Sequence, residues 1–259
     1  MADMQPGVLD EHEAREVQET FGVARAQVER DHFISHLLAA ISRHVPSTDL
    51  IFIGGTALSR THLGDLRLSE DVDLEARTDR RQVANAIVAA ARRDMQRTFG
   101  RLTWEPPLAE IRDVASSTVN TIAGVGVRVQ ILRHDGRPEW PTEVVDLEQR
   151  YSDAPPARMS VPTADAFAAA KLSAWIDRRA ERDLYDLWAL SVRGLVTSTA
   201  VDLFVRHGPF TTPPEPWVFQ DLPDEVAWRH ALSHQGRIRT GPKEAAAAVA
   251  EAWARAARA

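Results

Sequence analysis

Cysteine is missing from all 259 residues, so no disulfide can staple this chain and no thiolate can hold zinc. Lysine is almost missing as well: of 31 basic residues, all but Lys171 and Lys243 are arginine. No stretch approaches the roughly 18 consecutive apolar residues that a membrane-spanning helix needs, which argues against a membrane partner. Asp3, Asp10, Glu11 and Glu13 give the first residues the wrong charge for a secretory leader, so a cytoplasmic protein is expected.

The remaining composition is that of a globular protein, 44% hydrophobic and 26% charged, long enough for one large domain or two small ones. A net charge of −6 does not advertise a nucleic-acid binder, but the charge is unevenly spread. Arg77, Arg80, Arg81, Arg92, Arg93, Arg97 and Arg101 follow one another with few acids between them. Such a face can track phosphates even on an acidic protein, and it can equally be a solvated helix surface. The arginine bias points to a GC-rich genome that converts tolerant lysines. A lysine that persists at position 171 therefore draws notice, because a compact ammonium can approach a single oxygen in a way a guanidinium cannot.

Periodicity organises the chain. Residues 1–12 read as a flexible lead-in, and helical spacing runs over 13–45 until Pro46 stops it. Residues 50–53 form a short buried strand that ends at Gly54-Gly55, and a helix is expected over 56–63. A strand over 70–76 follows, then a helix capped at Thr78-Asp79 and running to about 97. Further strands are expected at 101–104, 114–120, 125–132 and 143–147. Pro155-Pro156 and Pro162 mark a boundary. Beyond it the spacing predicts helices over 163–178, 181–192, 199–205, 223–233 and 243–258. The expected fold class is thus α/β (α+β): a mixed-sheet domain over 13–155, followed by a helical domain over 156–259.

Two patterns carry chemistry. In Ile53-Gly54-Gly55-Thr56, glycines at a strand end let the backbone approach a ligand, the next helix offers free N–H groups to anions, and Thr56 adds a hydroxyl. In Ser69-Glu70-Asp71-Val72-Asp73-Leu74, the two aspartates leave one face of a strand while Val72 and Leu74 enter the core. Adjacent carboxylates repel unless a cation lies between them, and magnesium prefers such oxygens together with substrate phosphates. Downstream, Lys171 lies on a helix followed by Arg182-Asp183-Leu184-Tyr185-Asp186-Leu187. Asp183 and Asp186 share a helix face there, and the plain alternative is an Arg182–Asp186 surface pair.

The strand–Gly-Gly–helix–strand arrangement with paired aspartates resembles the signature of the DNA polymerase β-like nucleotidyltransferases. The strings Phe52-Ile53-Gly54-Gly55-Thr56-Ala57-Leu58 and Arg67-Leu68-Ser69-Glu70-Asp71-Val72-Asp73-Leu74 more specifically resemble the AbiEii/AbiGii toxin family. The helical lysine and its Asp-X-X-Asp segment fit the same family. The resemblance implies a polymerase β-like nucleotidyltransferase domain and a toxin of a bacterial toxin–antitoxin or abortive-infection system. It implies Mg²⁺ on Asp71 and Asp73, NTP phosphates held by Gly54, Gly55 and Thr56, and Arg67 and Ser69 contacting the phosphates or the acceptor. Lys171 and Asp186 would be catalytic, and Asp183 would orient the lysine or bind nucleotide. Transfer to the 3′ end of tRNA, with a cognate antitoxin as partner, is the expected activity. The alternatives are a protein or small-molecule acceptor, or nucleotide binding without catalysis.

One position departs from the family pattern. A further carboxylate is common on a later strand, where Val127-Arg128-Val129-Gln130-Ile131 offers the amide of Gln130 instead. His32 and His36 are spaced as metal ligands on a helix can be, but no third ligand pattern accompanies them, so packing is expected. Packing is also the expected use of Trp175 and Trp188.

Overall fold

The computed structural model describes residues 8–112 and 115–259. Residues 1–7 of the expected lead-in and position 114 of an expected strand lie outside the described residues. By backbone contacts the chain divides into two compact units: residues 1–137 with 143–161, and 138–142 with 162–259.

The first unit opens with α1 (Glu11–Phe21) and α2 (Arg25–His44). The single helix expected over 13–45 is therefore two. Gly22 is the cause: it adopts a left-handed φ of 70°, donates its N–H to the Gln18 carbonyl and ends α1. Next come β1 (Leu50–Ile53), the short α3 (Gly54–Ser59), β2 (Asp71–Ala76) and α4 (Arg80–Phe99). Asp79 caps α4 by accepting from the Gln82 N–H at 2.8 Å. The strands β3 (Thr103–Glu105), β4 (Ser116–Asn120) and β5 (Gly126–Arg133) follow, and β6 (Thr142–Asp146) pairs with β7 (Arg158–Pro162). The strand β7 was not expected, because the prolines at 155, 156 and 162 read as a boundary. Pro162 is its last residue, where a missing N–H costs least.

The five-stranded sheet is mixed, in the order β1-β2-β5-β4-β3, and only β2 and β5 run parallel. Its strands alternate in burial. Phe52, Val72, Leu74, Val119, Val127, Val129 and Ile131 are buried, and α2 and α4 pack together on the sheet. Asp71, Asp73, Arg128 and Gln130 occupy the intervening positions and face the other side.

A buried charge network fixes α3 against α2. Arg60, fully buried just after α3, donates from Nη2 to Asp31 Oδ1 at 2.7 Å and to the Asp31 carbonyl at 3.0 Å. Its Nη1 donates to the Glu148 carbonyl at 2.9 Å, and the Tyr151 hydroxyl donates to Asp31 Oδ2 at 3.1 Å. Burial pushes the Arg60 pKa down to about 10 against the opposing pull of Asp31, so the group stays charged at neutral pH.

The second unit contains α5 (Ala164–Arg178), α6 (Glu181–Val192), α7 (Ser198–His207), a 3₁₀ turn (Pro216–Phe219), α8 (Glu225–Leu232) and α9 (Pro242–Ala256). Thr163 caps α5 by accepting from the Ala166 N–H. Trp175, Trp228, Trp253 and Phe204 are fully buried there, and the Trp175 indole N–H donates to the Val218 carbonyl at 3.1 Å. Trp175 thus serves packing, while Trp188 stacks on Tyr185 with ring centroids 5.3 Å apart. No described helix is long and apolar enough to cross a membrane.

Removing one partner of a buried ion pair strands the other charge in a low dielectric. Arg60→Ala or Asp31→Ala should therefore lower the unfolding free energy by about 3–5 kcal/mol, measured by urea titration. A loss under about 1 kcal/mol would show that the network does not hold α3 in place.

Candidate active site

The glycine turn and the aspartate strand meet through sheet register. β1 and β2 are antiparallel neighbours with Ile53 opposite Asp73, which brings Gly54 directly against Asp73. Gly54 has a φ of +80°, and a Cβ placed on it would lie 2.4 Å from Asp73 Oδ2. Glycine is required there twice over, for its backbone angle and for space. At Gly55 a Cβ would meet Arg67 Nη2 at 2.9 Å and Ser69 Oγ at 3.4 Å, so those two residues pack beside the turn. Both are buried, and Arg67 Nη1 donates to the Leu68 carbonyl at 3.3 Å. Thr56 is buried as well, and its hydroxyl donates to the main-chain carbonyl of Asp71. That bond ties α3 to the first residue of β2.

The parallel β2–β5 register places Arg128 beside Asp71 and Gln130 beside Asp73. With Ser116 of β4, which pairs with Gln130, these residues line a pocket of about 200 Å³. The Arg128 guanidinium grips Asp71 with two parallel bonds, Nε to Oδ1 at 2.8 Å and Nη2 to Oδ2. The hydrogen bonds and charge of Asp71, followed by the field of Asp73, raise the Arg128 pKa further. Arg128 and Ser116 were missed in the sequence, although Arg128 sits two residues before Gln130 on the same alternating strand. The donor set of Asp71, Asp73 and the Gln130 amide oxygen consists of hard oxygen ligands. It suits magnesium, which is held by one or two carboxylates and completes its shell with water and substrate phosphates.

In the second unit, Lys171 of α5 is buried between two carboxylates of α6. Its Nζ lies 3.1 Å from Asp183 Oδ1 and 2.7 Å from Asp186 Oδ2. Arg178 adds a bidentate contact to Asp183, with Nε to Oδ2 at 2.7 Å and Nη2 to Oδ1 at 3.0 Å. The Asp-X-X-Asp spacing thus aims both acids at the one buried lysine, rather than pairing Asp186 with Arg182 as its main contact. Burial pushes the Asp183 carboxyl up, but Lys171 and Arg178 outweigh it and hold the group below its ordinary value.

The basic run over 77–101 divides. Arg80 is buried and donates to the Ile131 carbonyl at 2.7 Å, whereas Arg81, Arg92, Arg93 and Arg97 are exposed on α4.

Comparison with known proteins places these features in context. The family described as nucleotidyl transferase AbiEii toxin, type IV toxin–antitoxin system, matches residues 36–258. No curated protein matches the sequence. Among solved structures, the fold is similar to MenT4, a nucleotidyltransferase toxin from Mycobacterium tuberculosis H37Rv. The TM-score is 0.69 and identity 22%, over 93% of this chain and 88% of that one. It is also similar to a protein from H. pylori assigned as a nucleotidyltransferase, with TM-score 0.55 and 14% identity over 91% and 96% of the two chains. At these identities the structural likenesses bear on fold alone, and they agree with the α/β reading.

Two outcomes are expected from this geometry. Gly54→Ala should displace the Asp73 carboxylate and weaken Mn²⁺ binding, read by paramagnetic resonance, by about 10-fold or more. Gly55→Ala, whose tightest contact is the far end of the Arg67 side chain and whose next is ordinary contact with Ser69 Oγ, should do less. Because the Asp183 pKa is depressed, its stabilisation is present above the ordinary carboxylate value near 4 and is lost as pH falls through the lower folded value. Asp183→Asn should therefore flatten the acid side of the stability–pH profile measured by thermal melts.

Proposed function

The chain belongs to the AbiEii family of nucleotidyltransferase toxins of type IV toxin–antitoxin systems, and from that premise we propose that it transfers a nucleoside monophosphate from an NTP to the 3′ end of tRNA, blocking translation. The observation that carries this reading is the register that puts Asp71 and Asp73 on one strand beside the Gly54-Gly55 turn.

Asp71 and Asp73 would hold Mg²⁺, with Gln130 as a neutral third oxygen. A magnesium ion bound there supplies positive charge to the phosphates and to the transition state. The chain's own groups do the rest. Gly54 and Gly55 present backbone N–H groups to the outer phosphates, and Arg67 and Ser69, packed behind the turn, support that cradle. Thr56 contributes by locking the turn to β2 through the Asp71 carbonyl, since its hydroxyl is already engaged there. Arg128 balances Asp71 and can exchange that carboxylate for a phosphate oxygen, its side chain being 58% exposed. Lys171, aimed by Asp186 and Asp183, neutralises charge on the departing pyrophosphate. The exposed arginines of α4 suit tRNA phosphates. Work in the cytoplasm against a cognate antitoxin follows from the same reading.

Asp71→Ala and Asp73→Ala should each lower transfer of labelled NTP into total tRNA by about 10²–10³-fold or more. Lys171→Ala alone would leave two buried carboxylates facing each other, so the cleaner test is Lys171→Met with Asp186→Asn, which keeps the buried charge balanced. That pair should retain the fold by circular dichroism and lose transfer. Label appearing in protein or a small molecule would replace tRNA as the acceptor. Growth arrest that persists in a host expressing Asp71→Ala would remove the catalytic toxin.

A further inference from the structure

The two histidines of α2, for which the sequence offers no third ligand pattern, meet a carboxylate in the fold. His32 and His36 lie one helical turn apart, and Asp153, on the connection between β6 and β7, reaches both. His32 Nε2 is 3.0 Å from each Asp153 oxygen, His36 Nε2 is 3.1 Å from Asp153 Oδ2, and the two ring nitrogens are 3.3 Å apart. The side chains are 4%, 8% and 3% exposed. Phe99 packs edge-on against His36 and at a tilt against His32, and Tyr151 packs edge-on against His32, which restrains both rings.

With both imidazoles neutral, each Nε2–H can donate to its own oxygen of an ionised Asp153, and the same three side chains converge closely enough to share one cation in place of those protons. The two Nε2 atoms lie 3.3 Å apart, both turned toward the Asp153 carboxylate. A cation at the centre would take one lone pair from each of the three residues, whose ligand atoms all lie within 4.8 Å of one another. The spacing also agrees: tetrahedral zinc with bonds of about 2.0–2.1 Å separates neighbouring ligand atoms by about 3.3 Å.

We propose that His32, His36 and Asp153 form a second metal site, separate in its residues from the Asp71–Asp73 pocket, that takes a borderline transition-metal dication, Zn²⁺ foremost. Two imidazoles and one carboxylate discriminate against magnesium, which favours oxygen donors. The fourth coordination position is filled by water, since His32 also lines a surface pocket with Glu29, Phe99 and Thr121. The ion clamps α2 to the connection between β6 and β7, the same two segments that the Asp31–Tyr151 hydrogen bond joins.

The test uses full-length protein without a polyhistidine tag, stripped with chelator and titrated with ZnCl₂ in excess MgCl₂. The expected result is one Zn²⁺ per chain with an affinity tighter than about micromolar, accompanied by a higher melting temperature. His36→Gln and Asp153→Asn should each weaken that binding by about 100-fold or more. Asp71→Asn with Asp73→Asn should retain it. Co²⁺ bound in place of zinc should give visible absorption of tetrahedral intensity in wild type and lose it in His36→Gln. Failure of the wild-type protein to bind zinc under these conditions overturns the proposal whatever the variants do. Binding that survives His36→Gln but vanishes in the Asp71/Asp73 variant overturns it as well.

Discussion

Two carboxylates leaving one face of a strand two residues apart repel each other, and the first unit is arranged around that repulsion. Asp71 and Asp73 occupy the polar face of a sheet whose other face is the apolar core. Their partners come from β5, and only because β2 and β5 run parallel in one register do Arg128 and Gln130 arrive beside them. A shift of one residue would turn Val127 and Val129 toward the acids and send Arg128 into the core. The hydrophobic alternation of β5 therefore sets the electrostatics of the pocket as well as the packing beneath it.

The same logic explains what could be read in advance. The strand, glycine turn and aspartate strand are close in sequence, and each carries its own local signal, so their juxtaposition was legible. Helical periodicity put Asp183 and Asp186 on one face, but their link to Lys171 was legible only through the family resemblance, since spacing alone also allowed an Arg182–Asp186 surface pair. Arg128 was not legible, since it meets Asp71 across 57 residues through a parallel pairing that no local pattern announces. Asp153 was hidden for the same reason, lying 117 residues from His36. Two local features were missed outright: Gly22, which splits the first helix at a left-handed residue, and β7, whose flanking prolines imitate a linker.

The two units handle buried charge in the same way. Arg60 with Asp31, and Lys171 with Asp183 and Asp186, are cation–carboxylate groups almost shut off from water. Apolar replacements of the same volume often serve stability equally well, so such groups matter mainly for what they hold in position. Arg60 holds the far end of α3, whose near end is the glycine turn. In the second unit the acids hold an ammonium whose direction would otherwise be free to wander.

The near-absence of lysine acquires a practical meaning once Lys171 is placed. Buried and held between two acids, its amine is shielded and poorly placed to attack acylating reagents. Lys243, exposed near the start of α9, is then the one side-chain amine open to a dye, a biotin ester or a surface linker. The wild-type chain, apart from its α-amino group, is a substrate for nearly site-selective conjugation, with the attachment point on a helix outside the residues assigned to the chemistry.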